Sequence, residues 1–191
     1  MTLLILGLLL WTLAHGVKIH APGLRTRLVA ASSEGAVKIG FTLALIASVA
    51  LMVYGYQQAD YVALWTPPGW TVHLNNLLMV FAILIYSAGA FKGHVRAWIR
   101  HPQLAGTKTW AIAHLLANGH LAAVLLFGWI LLWAVAAMVG LNKRDGKGPK
   151  PAAGPWWMDA VHVVVALVLV VAIGWVHNYL GVWPFAGDPP A

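Results

Sequence analysis

Six apolar runs, roughly Thr2 to Ile19, Glu34 to Gln57, Thr71 to Phe91, Pro102 to Asn118, His120 to Leu141 and Trp157 to Gly181, make up most of this 191-residue chain. Most come near the ~20 residues that cross a hydrocarbon layer, and the fourth, at about 17, only just reaches. Backbone inside lipid must satisfy its own polar groups, so such runs fold as helices. With 61% hydrophobic and 9% charged residues, the chain also lacks the polar surface of a soluble domain. The expectation is an all-α polytopic membrane helix bundle: six transmembrane helices in a single domain over residues 1–191, the short fourth helix making a tight hairpin to the fifth.

The net charge of +7 brings nucleic acid to mind, but the placement of the charges argues against it. All 12 Lys and Arg fall in or beside three connections: Lys18, Arg25, Arg27 and Lys38; Lys92, Arg96, Arg100 and Lys108; Lys143, Arg144, Lys147 and Lys150. The intervening connections, Gln58 to Trp70 and Asn118-Gly119, carry none. By the positive-inside rule, three basic loops face the cytoplasm and both termini lie outside. If Pro102 to Leu141 were one long helix, the Lys143 to Lys150 loop would emerge on the wrong side, which selects six spans over five. Orientation and attraction to anionic lipid explain the basic surface, so the lipid bilayer is the expected partner and nucleic acid is not. The first run has no basic stretch before it and reads as a retained helix.

Several chemistries are excluded by residue type. There is no cysteine, hence no thiolate, disulfide or iron–sulfur cluster. Glu34, Asp60, Asp145, Asp159 and Asp188 are scattered among loops and helix ends, so no carboxylate pair is available for hydrolysis. No nucleophile signature or phosphate-cradling loop is present. Histidines remain. Ionisable groups within membrane spans are costly and mark functional sites.

The stretch His101 to Gly119, HPQLAGTKTWAIAHLLANG, places one of them in a short helix. Pro102 suits the first helical position and Asn118-Gly119 a left-handed stop. At about 100° per residue, Gln103, Thr107, Trp110, Ala111, His114 and Asn118 share one side, and Gly106, Ala113 and Ala117 form an adjoining small-residue ridge for a neighbouring helix. In the first run Trp11, His15 and Lys18 share a face. Helical rise puts His114 some 18 Å and His15 about 10 Å above the cytoplasmic surface, depths that overlap when each helix end shifts by a turn or so. Two readings of this pair stay open: axial ligation of haem iron between helices, or interhelical hydrogen bonding without a metal. In the first reading Arg25, Arg27, Arg100 and His101 are candidate propionate partners at the cytoplasmic rim. His101 also serves simply as the residue that precedes Pro102. Zinc fits less well, because His114 and His120 straddle the helix break without further ligands. His73, His120 and His177 lie near the outer surface, where water satisfies the first two and the third orders the C-terminal segment.

HPQLAGTKTWAIAHLLANG, with LAHGVKIHAPGLR near the start and HNYLGVWPF near the end, resembles the NnrU family of bacterial membrane proteins from Leu3 to Phe185. That family is associated with denitrification and the nitric oxide response, and is similar to plant ζ-carotene isomerase, which contains haem b and isomerises a cis double bond. The resemblance implies a bacterial inner (cytoplasmic) membrane location, haem b as cofactor, and His15 and His114 at the ligand positions of the isomerase. It implies nitric oxide or an apolar polyene as ligand. A cysteine proposed as an alternative ligand in the isomerase falls near Ala111, where no sulfur is available.

Two functions from different classes follow. One is a haem b-binding membrane protein, acting in nitrogen-oxide metabolism or as a haem-dependent isomerase. The other is a non-enzymatic scaffold or accessory subunit of a respiratory, denitrification or photosynthetic membrane complex, suggested by an apolar surface rich in tryptophan. An ion transporter would need titratable groups across the bilayer, and between His162 and His177 there are none over about 22 Å.

Overall fold

The computed structural model describes residues 1–146 and 151–185, with the side chains of Lys18 and His20 excepted. Lys147 and Lys150 of the third basic loop therefore lie outside the described residues. The described chain is helical: α1 Thr2–His20, α2 Pro22–Ala31, α3 Glu34–Gln57, α4 Thr71–Ser87, α5 His94–Trp98, α6 Pro102–Ala117, α7 Leu121–Asp145 and α8 Trp156–Tyr179. Of these, α3, α7 and α8 are long and apolar enough to cross a membrane; α1 and α2 together make a fourth, bent candidate. At 17 and 16 residues, α4 and α6 fall short of that length. Exposure is inverted relative to a soluble protein. On α8, Val161, Val164, Leu167, Val168 and Val171 are exposed, whereas His162 is only 1% exposed. Apolar side chains outward and a histidine inward is the pattern of a protein whose solvent is lipid.

The helices group into two compact units. The first comprises Met1–Leu64 and His120–Gly146, the second Trp65–Gly119 and the described part of Lys147–Ala191. In the first, α1 and α3 pack through small residues. A Cβ on Gly7 would stand 2.7 Å from the Ser48 carbonyl, and one on Gly55 would run into the backbone of Leu3 and Leu4. Helices in lipid gain little from apolar contact alone, so close backbone approach at small residues is what joins them. Of the small or weakly polar residues along α3, Ser48 and Gly55 are buried, whereas Gly40 and Thr42 are exposed. In the same unit α7 is tied to α1 by the Trp129 indole, which donates to Thr12 Oγ1 at 2.9 Å.

The second unit is built on α4, against which both α6 and α8 pack. The predicted ridge on α6 does its work here: Gly106 and Ala113 are buried, and a Cβ on Gly106 would lie 2.7 Å from the Ala82 carbonyl. Pro102 occupies the first turn as expected, and the His101 carbonyl accepts from Ala105 N at 2.9 Å.

Two connections hold helices of their own, and one local expectation is revised. Residues 22–31 form α2, because Pro22 is at the helix start and the following residues contain no breaker after Gly23. Ser33 then caps α3 through its bond from Ala36 N at 3.1 Å. The connection after α4 holds the five-residue α5, whose first N–H groups are satisfied from another helix. Finally, Asn118 is extended, φ −130° and ψ 111°, and no left-handed stop forms: positive φ among the described residues is confined to Gly146 and Gly181. Gly119 is needed for its size. Its carbonyl accepts from Trp65 N at 3.0 Å, and its Cα faces the Trp65 carbonyl with no room for a Cβ.

Candidate functional site

His15 on α1 and His114 on α6 occupy nearly the same pentapeptide, WTLAH at 11–15 and WAIAH at 110–114. In each, imidazole Nδ1 meets the carbonyl of the tryptophan four residues earlier, at 3.1 Å for His15 and Trp11 and at 2.9 Å for His114 and Trp110. A carbonyl oxygen only accepts, so Nδ1 carries the proton and the lone pair resides on Nε2. Ligand histidines are held in this way, their second nitrogen donating to a backbone carbonyl. The repeated W-x-x-A-H unit is the sequence signal of the arrangement, visible only when the two segments are compared. His177 on α8 repeats the geometry without the tryptophan, donating from Nδ1 to the Ile173 carbonyl at 2.8 Å.

The two settings belong to different units. In the first unit, His15 lies between two indoles, with ring centroids 4.2 Å from Trp11 and 4.7 Å from Trp133, and the indoles meet edge to face at 5.3 Å. An apolar cavity of about 400 Å³ opens beside it, lined by Thr12, Gly16, Ile19, Trp129 and Trp133. Thr12 donates to the Leu8 carbonyl at 2.8 Å while accepting from Trp129, so its hydroxyl is spent on structure. In the second unit, the His114 ring leans on Trp110 at 5.1 Å, and the next turn is fixed by Asn118 Nδ2 donating to the His114 carbonyl at 2.8 Å.

The basic candidates are distributed as follows. Arg25 donates to Glu34 at 2.6 Å, and Lys38 approaches the same carboxylate at 3.4 Å. Arg25 is thus half of an ion pair that joins α2 to α3, and Arg27 is exposed. Arg100 and His101 stand at the opposite end of α6 from His114, thirteen residues or about 20 Å by the helical rise from His101. Lys18, expected on the His15 face, has its side chain outside the described residues.

Two polar groupings in the second unit went unassigned in the sequence. Ser87 Oγ donates to the Ile83 carbonyl at 2.6 Å, so it must accept from His162 Nε2 at 2.9 Å; His162 is therefore the opposite tautomer of His15 and His114. Its ring stacks on Phe91 at 4.5 Å. Asp159, one turn earlier on α8, accepts from His94 N at 2.9 Å, Val95 N at 3.2 Å and His94 Nδ1 at 2.8 Å, capping α5 from outside. Both are explained by packing. Their one sequence signal is the Asp-x-x-His spacing at the start of α8. In the first unit His120, expected to be hydrated, is half-buried, stacking on Tyr61 at 5.3 Å and approaching Tyr56 at 5.6 Å. Burial lowers its imidazole below the ordinary range. Among the described residues, no three of His, Asp and Glu gather as a metal-ligand set.

Residues 3–184 match the family profile described as NnrU protein. No curated protein and no solved structure matches the chain.

Proposed function

The chain belongs to the NnrU family, and from that premise we propose that it is a haem b-binding integral membrane protein with His15 and His114 as imidazole ligands. The observation that carries the reading is the shared tautomer: both rings give the Nδ1 proton to their own helix, which puts the lone pair on Nε2, the tautomer of a histidine ligand held through a backbone carbonyl. The residues present fit the group. Imidazole nitrogen is a suitable axial donor to haem iron, and the walls around His15 are aromatic and apolar, as a porphyrin face requires.

In this reading, all six apolar runs cross the bilayer, with both termini on the periplasmic side. Trp11 and Trp133 hold the His15 ring against rotation; the Trp110 carbonyl does the same for His114. Bound haem would supply an iron centre for electron exchange or for a small ligand such as nitric oxide, the chemistry that the resemblance implies alongside polyene isomerisation. Its propionates are not assigned to Arg25, Arg100 or His101, because Arg25 is already paired and the other two lie about 20 Å along α6 from His114.

The test is a visible spectrum of the detergent-purified protein expressed with ample haem. A Soret band that is lost or shifted in His15→Ala and His114→Ala is the expected result; a wild-type protein with no Soret band ends the proposal. Retention of a membrane partner unaffected by either substitution, in a haem-free protein, would instead favour the scaffold.

A further inference from the structure

We infer that α2 is an in-plane anchor that recognises anionic lipid headgroups at the bilayer surface, with Leu24 and Leu28 set into the acyl boundary and Arg27 beside the headgroup phosphates. The inference rests on the membrane reading of the chain and is independent of the haem proposal, because neither His15 nor His114 takes part in it.

The direction of the chain sets α2 apart from the helices that cross. The 19 residues of α1 rise about 28 Å, close to the thickness of the hydrocarbon, so no further length is needed to complete that crossing. The axis of α2 then stands at 85° to that of Thr2–Val17. Its 10 residues reach only about 15 Å, half of a bilayer core, and none of them is buried. A helix at right angles to a spanning helix, beginning where that helix ends, runs along the surface. The helix it packs against, α3, already turns Ile39, Leu43 and Ile46 outward to lipid, so α2 stands at the edge of the hydrocarbon.

Ion pairing fixes the rotation of α2. Glu34, at the start of α3, accepts from Arg25 at 2.6 Å and lies 3.4 Å from Lys38 Nζ, so the Arg25 side of α2 faces α3. Val29, one turn on, is half-buried on that side. At about 100° per residue Leu24 and Leu28 share a different side, and they are 47% and 41% exposed. Arg27 flanks the two leucines on the side away from Arg25; it is exposed, and no carboxylate pairs with it among the described residues. Thr26 stands opposite the leucines, its hydroxyl donating to the Pro22 carbonyl at 3.2 Å. Two uncovered leucines one turn apart call for an apolar boundary, and an arginine at their edge lays its stem along that boundary while its guanidinium reaches for an anion. Charge selects the kind of surface. Lys18, Arg25, Arg27 and Lys38 share one carboxylate, Glu34, along this stretch, and the positive surplus complements an anionic leaflet.

Because the chain contains no cysteine, Leu28→Cys and Thr26→Cys can each carry a nitroxide label without background. The full chain is reconstituted into vesicles of phosphatidylcholine alone, or of phosphatidylcholine mixed equally with phosphatidylglycerol. Each label is probed with oxygen, which concentrates in the bilayer, and with a water-soluble nickel chelate. The label at position 28 should respond to oxygen and the label at position 26 to nickel. Anionic lipid should raise the ratio of lipid-facing to water-facing label at position 28, and high salt should cancel the rise. In the anionic vesicles Arg27→Gln should lower that ratio by about fivefold, the effect of one basic residue at a charged surface, and Arg27→Lys should keep it. Neither variant touches the Arg25–Glu34 pair that holds α2 on α3. Nickel access at position 28 equal to that at position 26 overturns the inference, as does oxygen access at both, which would make α2 a re-entrant segment. A label at position 28 shielded from both reagents overturns it in favour of a protein cover such as a second copy, and equal ratios in the two kinds of vesicle overturn the recognition of charge.

Discussion

His15 and His114 sit in almost the same pentapeptide and hold the same tautomer, yet one is walled by indoles and the other stands in a unit that also buries polar side chains. Trp11 and Trp133 flank the first; Asn75, His162 and Ser87 lie in the unit of the second, with Asn75 and His162 almost fully buried. The difference separates two levels of control. Which nitrogen carries the proton is decided within one helical turn, by the carbonyl four residues earlier. What the other nitrogen can meet is decided by the helices that pack alongside. A local motif can thus set the same tautomer twice while tertiary structure gives the two rings different surroundings.

Packing is where the comparison is easiest to break, and both units rest on glycine. Gly55→Ala in the first unit and Gly106→Ala in the second each push a methyl group into the backbone of the facing helix. Overpacking of this kind costs about 1–3 kcal/mol or more, and the gain in helix propensity of about 1 kcal/mol offsets only part of it. Thermal unfolding in detergent should fall for both variants, whereas Gly40→Ala, with open space around its Cα, should be neutral or slightly stabilising. If the Gly106 variant were as stable as wild type, the α4–α6 contact that sets the level of His114 would be wrong.

A smaller effect tests the polar interior of the second unit. Ser87→Ala would remove the hydroxyl acceptor of the His162 Nε2 proton at a position 1% exposed. The expected loss is about 1–2 kcal/mol, read as a lower midpoint of unfolding. His162→Phe, which keeps a ring against Phe91 and removes the buried donor, should restore part of it. The matching probe in the first unit is Trp129→Phe, which removes the donor to Thr12 while keeping most of the ring. Single interhelical bonds in lipid average about 0.6 kcal/mol, so this variant should be the milder of the two. A Trp129→Phe loss larger than that of Ser87→Ala would reverse the contrast between an aromatic and a polar unit.

Much of this was legible in the sequence because lipid imposes simple rules. Apolar length pointed to the helices, Pro102 to a helix start, and the Gly106–Ala113 ridge to a packing face. The misses have a common physical origin, since each depends on a partner distant in the chain. Gly119 was read for its handedness, yet its role is set by the carbonyl of Trp65. Asp159 looked like an acid at a helix end until α5 supplied the N–H groups it caps. His162 and His177 differ in tautomer for reasons no spacing on α8 encodes: one meets a hydroxyl already committed as a donor, the other its own backbone. The repeat WTLAH and WAIAH was present all along, but its meaning lies in the hydrogen bond it makes rather than in residue identity.

The smallest expected effect comes from a third histidine, His120 at the N-cap of α7, that belongs to neither setting. His120 is half-buried against Tyr56 and Tyr61, and burial lowers its imidazole below the ordinary value of 6.5. Because the folded ring gives up its proton more readily than the unfolded one, the fold is favoured while both are neutral. Its contribution is complete above pH 6.5, declines as the pH falls and the unfolded chain takes up the proton first, and levels off once the folded ring is protonated too. Wild-type protein should therefore lose stability on acidification through this window, and His120→Phe, which keeps an aromatic ring beside Tyr61, should show a shallower loss over the same range. Parallel curves for the two proteins would mean that the pH response arises at other histidines, and that the aromatic setting of His120 leaves its proton affinity unchanged.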